Sequence, residues 1–272
     1  MKHFTFFVLF ISFFAVSNIC GQNSKKQVLN NSESRLRAIY DRNEFRAKRL
    51  RANWLPDGSG YTVLELDNES QKQILVRYEM ANGNRTVIDS SLKEENLKLE
   101  NISPDGKRIF YYQKGNLHVQ DLRSNQMIQI TEDGTANTIS NYRAVWSPDG
   151  KWIVYVQRDQ SNVRLRPTLV PSDPTYPEVK SVRYARVGDT IASLRVGIVD
   201  ATGGNTRWLS ILAPAEGYYL GQVSWAENSD EVLVEKLSRG RDEREFLIAD
   251  VRTGAIDRIY HESDPAWVIA SY

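Results

Sequence analysis

Cysteine is nearly missing from this sequence. The 272 residues contain one, Cys20, so no disulfide can form within a single chain. Histidine is almost as scarce. His3, His118 and His261 stand singly, and with Cys20 they offer no zinc-ligand spacing. Neither sign of charge prevails: a formal net charge of +1 gives no electrostatic support to a general nucleic-acid or membrane-surface role. No phosphate-binding glycine loop is present. Gly203-Gly204 reads as a turn, because no helical pattern follows it. No cofactor and no metal are therefore expected. A metal or cofactor enzyme is the weakest reading, since neither clustered ligands nor paired catalytic acids support it.

Long apolar runs are also lacking, with one exception. Lys2 and His3 precede the Phe-rich run from Phe4 to Val16, the pattern of a secretory signal peptide and too short for a comfortable membrane span. The expected cut follows Gly21 and exposes Gln22, with Ile19 three residues back from the bond. Ile19 is too large to precede a lipidated cysteine, so Cys20 is expected to leave with the leader rather than anchor a lipoprotein. Residues 1–21 are thus read as a signal peptide, and the mature chain as secreted or periplasmic with no membrane span. Residues 22–50 are a polar and basic lead-in. Within it Arg35 to Leu50 places Leu36, Ile39 and Tyr40 at helical spacing, which predicts a short helix starting near Ser32 or Ser34 as its N-cap. Its arginines read as a solvated face.

What is abundant is strand pattern, punctuated by one recurring turn. Val145-Trp146-Ser147-Pro148-Asp149-Gly150-Lys151-Trp152-Ile153-Val154-Tyr155 reads as strand, tight turn, strand. Pro148 presets φ at the second turn position and Gly150 supplies a positive φ. The same punctuation stands at Trp54-Leu55-Pro56-Asp57-Gly58 and Ile102-Ser103-Pro104-Asp105-Gly106, with a worn copy at Trp225-Ala226-Glu227-Asn228-Ser229-Asp230. The turn aspartate recurs in steps of 48 (57 to 105) and 44 (105 to 149) residues. Each step holds four β-rich runs, and four-stranded units at this period are the signature of a β-propeller. One small twisted sheet cannot bury both of its faces, whereas stacked blades cover each other. Trp146, Ser147 and Asp149 are therefore read as repeat structure, with the tryptophan packing between blades, and not as a site.

The third unit departs from the period. From Trp146 to Trp225 the step is 79, which implies an insertion of roughly thirty residues on the repeat logic. Pro167, Pro171, Pro174 and Pro177 exclude a central strand there, because proline gives the ladder no N–H. Long loops on a repeat scaffold usually carry function. The fourth unit is regular, and Pro265-Ala266-Trp267-Val268-Ile269 reads as the opening of a fifth before the sequence stops at Tyr272. The expected fold is all-β: a partial β-propeller over residues 51–272, of about four four-stranded blades plus the start of a fifth.

These blocks carry a resemblance. Tyr176-Pro177-Glu178-Val179-Lys180-Ser181-Val182-Arg183-Tyr184-Ala185-Arg186-Val187-Gly188-Asp189 resembles the Tyr-Pro loop of dipeptidyl peptidase IV, and a strand like Leu194-Arg195-Val196-Gly197-Ile198-Val199-Asp200 follows it there too. The blocks Tyr142 to Gly150 and Val223-Ser224-Trp225, the hairpin around Arg239 and the lead-in Ile39 to Phe45 fall in that family's order. The resemblance implies the N-terminal propeller of a secreted serine exopeptidase of the prolyl oligopeptidase group, which shields the active site and orients the peptide. Hydrolysis in that family belongs to a C-terminal α/β-hydrolase domain with a Ser-Asp-His triad. No Gly-x-Ser-x-Gly elbow occurs here, and neither Ser224, inside a strand signal, nor the lone strand histidine His118 reads as a triad member. No catalytic residue is assigned.

The family's propeller also holds the substrate's ammonium with a pair of acidic residues, and an arginine helps. The matching region is Thr131 to Asn141, and its acids are Glu132 and Asp133, which make the candidate amine anchor although the family's aromatic-flanked Glu-Glu is missing. Glu94-Glu95 lies one blade too early and reads as a solvated loop. The implied partners are peptide substrates, a hydrolase domain beyond the last residue, and a second copy in a homodimer of the full-length relative. No nucleic acid is implied. The expectation is a chain truncated at its C-terminal side; the competing one is a stand-alone periplasmic interaction module.

Overall fold

The computed structural model of the protein describes residues 27–42, 44–45, 51–89, 98–170 and 175–269. The leader, its expected cut and Glu94-Glu95 lie outside the described residues. Two compact units, 1–50 and 51–272, are described separately.

In the first unit residues 27–40 form a helix, α1. It begins earlier than the serines suggested, so Ser32 and Ser34 lie inside it. Arg37 pairs with Glu33 at 3.0 Å and with Asp41 at 3.5 Å, each one helical turn away. Such pairs each add about 0.2–0.5 kcal/mol of helical preference, which counters the pull of serine toward a cap.

Among the described residues, the second unit holds seventeen strands. Blade I is a four-stranded antiparallel sheet of β1 (Asn53–Trp54), β2 (Gly60–Leu66), β3 (Gln73–Glu79) and β4 (Arg85–Asp89). Blade II has three, β5 (Arg108–Gln113), β6 (Asn116–Asp121) and β7 (Met127–Gln129), with an isolated bridge from Ile102 to Ile109 where a further strand would pair. Blade III combines β8 (Ile139–Trp146), β9 (Trp152–Asp159), β12 (Ser193–Asp200) and β13 (Arg207–Trp208). Its insertion is a separate ribbon of β10 (Leu165–Val170) on β11 (Glu178–Arg183). Blade IV holds β14 (Tyr218–Trp225), β15 (Glu231–Ser238), β16 (Glu243–Asp250) and β17 (Ile256–Ser263). The proline rule holds in a particular way: Pro167 is in a strand, opposite Ser181, but in a two-stranded ribbon outside the main sheet.

The core lies between blades. Val63, Ile74 and Val76 pack on blade I itself, while Leu75, Ile102, Ile109 and Leu122 join blades I and II. Phe110, Leu117, Trp146, Ile153 and Tyr155 join II to III, and Val154, Val196, Trp225, Val232 and Val234 join III to IV. Each such aliphatic side chain, fully buried, contributes about 1.5–3 kcal/mol. Residues 264–269 form no strand: Val268 is buried beside Leu237, and Asp264 accepts the N–H groups of Ala266 and Trp267.

The recurring turns match one another closely. Gly58, Gly106 and Gly150 have φ of 67°, 70° and 70°, and each N–H closes the turn on residue i−3. In blades II and III the serine hydroxyl meets the turn aspartate at 2.6 Å and accepts the N–H of Arg108 or Trp152. Trp146 donates Nε1–H to Asn101 O of blade II, and Trp225 donates to Val145 O of blade III. Trp54 differs: it is 59% exposed and leans on Tyr61, so interblade packing describes two of these tryptophans and not the first. His118 is buried and stacks on Tyr111 at 5.4 Å, a core filler.

Candidate functional site

Strand register assigns each blade two ends. In β8 against β9, Trp146 faces Ile153 next to the Pro-Asp-Gly turn, and Ile139 faces Asp159 eight residues' span away. Residues 130–138, which carry the chain from blade II to blade III, therefore leave the same end as the inserted ribbon. The Lys114-Gly115 hairpin of blade II and the Ser238 to Asp242 hairpin of blade IV open on that end as well. It is called the insertion end, and the opposite one the turn end.

At the insertion end the backbone of residues 131–135 is fixed by blade II. Asn116 Oδ1 accepts Gly134 N at 2.7 Å, Asn116 Nδ2 donates to Gly134 O, and Thr131 Oγ1 accepts Leu117 N at 3.0 Å. The approach is close enough to require glycine. A Cβ on Gly134 would lie 2.1 Å from Gly115 O, and one on Gly115, at φ 83°, would lie 2.5 Å from Ile139 O.

Asp133 projects from this cradle. Its Oδ1 accepts from Asn141 Nδ2 at 3.0 Å and its Oδ2 from Gln157 Nε2 at 2.6 Å. Asn141 and Gln157 face each other across β8 and β9, are nearly fully buried, and bond to each other at 3.0 Å. Gln157 Oε1 in turn accepts from the Arg195 guanidinium of β12, which lies 3.9 Å from the Trp208 ring centre. Amide donors therefore orient the carboxylate, while its own guanidinium-bearing neighbour is one residue removed. An exposed carboxylate held this way keeps lone pairs for a cation.

Two phenols line the same region. Burial pushes the Tyr155 hydroxyl up to about 12, and it shares a 2.8 Å hydrogen bond with Thr206. Burial likewise pushes Tyr218 to about 12, and its hydroxyl donates to Leu194 O at 2.5 Å. Both remain neutral at physiological pH.

The two acids chosen from sequence thus part company. Asp133 is built into a network spanning two blades. Glu132 is exposed and shares none of its bonds, with no hydrogen bond or ion pair among the described residues. Sequence reasoning missed Asn141, Gln157 and Arg195, which come together only through strand register. The signal within reach was Gly134, whose position after two acids could have been read as a close approach as well as a turn.

Comparison with known proteins bears on what this scaffold is. The profile of the dipeptidyl peptidase IV (DPP IV) N-terminal region matches residues 67–271. A probable dipeptidyl-aminopeptidase B of Pyrenophora tritici-repentis is 25% identical over 222 residues, covering 66% of this chain and 24% of that protein. The prolyl endopeptidase FAP of Mus musculus is 26% identical over 170 residues, covering 55% of this chain and 22% of its own length. The chain therefore spans about a quarter of the curated relatives it matches. The crystal structure of Porphyromonas gingivalis dipeptidyl peptidase 4 superposes with a TM-score of 0.61 at 16% identity, over 82% of this chain and 34% of that one, a likeness of fold. With its repeated blades, its inserted ribbon and a profile match along most of its length, the chain belongs to the dipeptidyl peptidase IV N-terminal region family.

Proposed function

We propose that this chain is the substrate-gating propeller portion of a secreted or periplasmic serine exopeptidase of the dipeptidyl peptidase type, and that it takes no part in bond cleavage itself. On this reading a C-terminal α/β-hydrolase domain supplies the nucleophile, and the leader at residues 1–21 directs export. The propeller receives the peptide and holds its free amino terminus. One observation carries the site assignment: Asp133 is exposed, yet both of its oxygens are aimed by amides from two strands of blade III. A primary ammonium entering there gains a charge-assisted hydrogen bond, and an acetylated terminus does not. A second copy is a further partner on this reading. Leu165, Leu169 and Val179 leave an apolar patch on the ribbon that such a contact would cover.

The test is calorimetric titration of tripeptides with free or acetylated amino termini into the protein and into Asp133→Asn. The free peptide is expected to bind at least about fivefold more tightly than the acetylated one, and the substitution to erase most of that margin, as befits a charged hydrogen bond. Equal binding of both peptides, or a margin that survives Asp133→Asn, sinks the assignment and favours an interaction module without peptide chemistry.

A further inference from the structure

The inserted ribbon carries a second polar feature that the amine site does not use. At its base, a cleft of about 330 Å³ is lined by Arg164, Leu165, Arg166, Pro167, Tyr184, Arg186 and Asp189. Three guanidiniums and one carboxylate therefore meet there. The ribbon register explains the convergence. Arg166 pairs with Val182, and Tyr184 N–H bonds Arg164 O, so Arg164, Arg166 and Tyr184 share one face of the ladder. The Arg166 guanidinium lies 5.3 Å from the Tyr184 ring centre, which limits its rotamers.

The lone carboxylate is already engaged. Asp189 accepts the Arg186 backbone N–H at 3.1 Å and its Nε at 3.4 Å. The backbone beneath it is pinned from the next blade, since Arg239 donates to Asp189 O and to Glu216 O. Arg183, on the opposite ribbon face, donates to Ser161 O and Val163 O and so fastens the ribbon to its blade. Arg164 and Arg166 have no carboxylate within ion-pair distance among the described residues. A clamped backbone, a surplus of cations and the Tyr184 ring on the same face make a site, not merely a solvated run.

We infer that this cleft binds the carboxylate side chain of an acidic peptide segment. A guanidinium fork matches a planar carboxylate with two parallel hydrogen bonds, and the Tyr184 ring beside it suits the methylenes of glutamate. The volume is that of a small-ligand pocket, enough for one side chain and its neighbours. A polyanion such as nucleic acid is disfavoured by the chain's near-neutral net charge and by Asp189 in the wall. This inference stands apart from the amine site, because it needs neither Asp133 nor a free amino terminus.

The experiment uses the full chain and N-acetylated fluorescent peptides, so that amine recognition does not contribute. One peptide carries two glutamates, and the other has glutamine in their place. By fluorescence anisotropy at low salt the glutamate peptide is expected to bind at least about tenfold more tightly, and to weaken steeply as salt is added. Arg164→Ala with Arg166→Ala should bring it to the level of the glutamine peptide. Arg166→Lys, which keeps charge but loses the fork, should fall between. Arg123→Ala, an exposed arginine on blade II, should change nothing, and unfolding midpoints of all variants should match the parent. Equal binding of the two peptides overturns the proposal. So does a glutamate preference untouched by the double substitution, or an oligonucleotide or inorganic phosphate that binds the cleft as well as the glutamate peptide does.

Discussion

The two ends of blade III use the same kinds of side chain to opposite effect. At the turn end every acid is consumed locally. Asp149 accepts from Lys151 N–H and meets the Ser147 hydroxyl, while Trp146 and Arg108 tie the turn to blade II. The hairpins after β6, β12 and β16 repeat the habit: Asp121 and Asp250 each take the N–H groups of the second and third residues after them, and Asp200 takes that of Thr202. At the insertion end, Asp133 is oriented by partners far away in sequence, and Arg164 and Arg166 have no acid within ion-pair distance among the described residues. An acid satisfied by its own turn stabilises that turn. An acid or a guanidinium positioned by other strands and left open to solvent is available to a ligand.

The largest effect that could break this contrast is at Trp146. It is buried between blades, donates to Asn101 O and lies 5.9 Å from Phe110, with Arg108 over its ring. Trp146→Ala is expected to cost about 3–5 kcal/mol in denaturant unfolding, as large aromatic truncations do. Trp54→Ala, at the same place in the repeat but mostly exposed, should cost less than about 1 kcal/mol. Similar losses at the two positions would mean that the repeat is uniform and that interblade packing does not distinguish these tryptophans.

A smaller effect sharpens the contrast from the other end. In Gly134→Ala the new methyl would meet Gly115 O and Asn116 Oδ1 at 2.1 and 2.6 Å. The backbone must shift, at a cost of about 1–3 kcal/mol, and Asp133 moves with it. Hydrogen exchange should quicken at Asn141 and Leu117 while Gly106 and Gly150, at the turn end, keep their protection. Free-amine peptide binding should fall with it. Uniform loosening of both ends would show that they are one cooperative unit.

How much of this was legible beforehand follows from the range of the interactions. The Pro-Asp-Gly turns could be read because their chemistry closes within five residues, and Ser147, Asp149 and Gly150 behave as that chemistry requires. The blade count followed from the ruler they provide. The helix was misplaced because Glu33, Arg37 and Asp41 hold it across serines that by themselves signal a start. The ribbon went unread because Pro167 hid the alternation of Leu165, Pro167 and Leu169. Asp133 was picked by its place in the family's order, but the amides that make it different from Glu132 come from β8 and β9. No spacing in the sequence announces a contact set by register between strands.

The smallest effect concerns acid. The Asp121 carboxyl is held below the usual carboxylate range by the backbone N–H and hydroxyl of Ser124, and that of Asp250 by the backbone N–H and hydroxyl of Thr253. A carboxyl with a lowered folded value contributes stability that is complete above its unfolded value, about 3.9, and that is lost as pH falls through the folded one. The protein's unfolding midpoint should therefore hold steady from neutral pH down to about 5 and drop as pH falls below about 4. In Asp121→Asn with Asp250→Asn the midpoint at pH 7 should be slightly lower and the drop shallower, since asparagine still accepts the same N–H groups but has no proton to gain. An acid drop as steep in the double variant as in the parent would show that these two turn carboxylates do not carry the acid sensitivity, and that the local bonding at the turn end contributes nothing measurable to the fold.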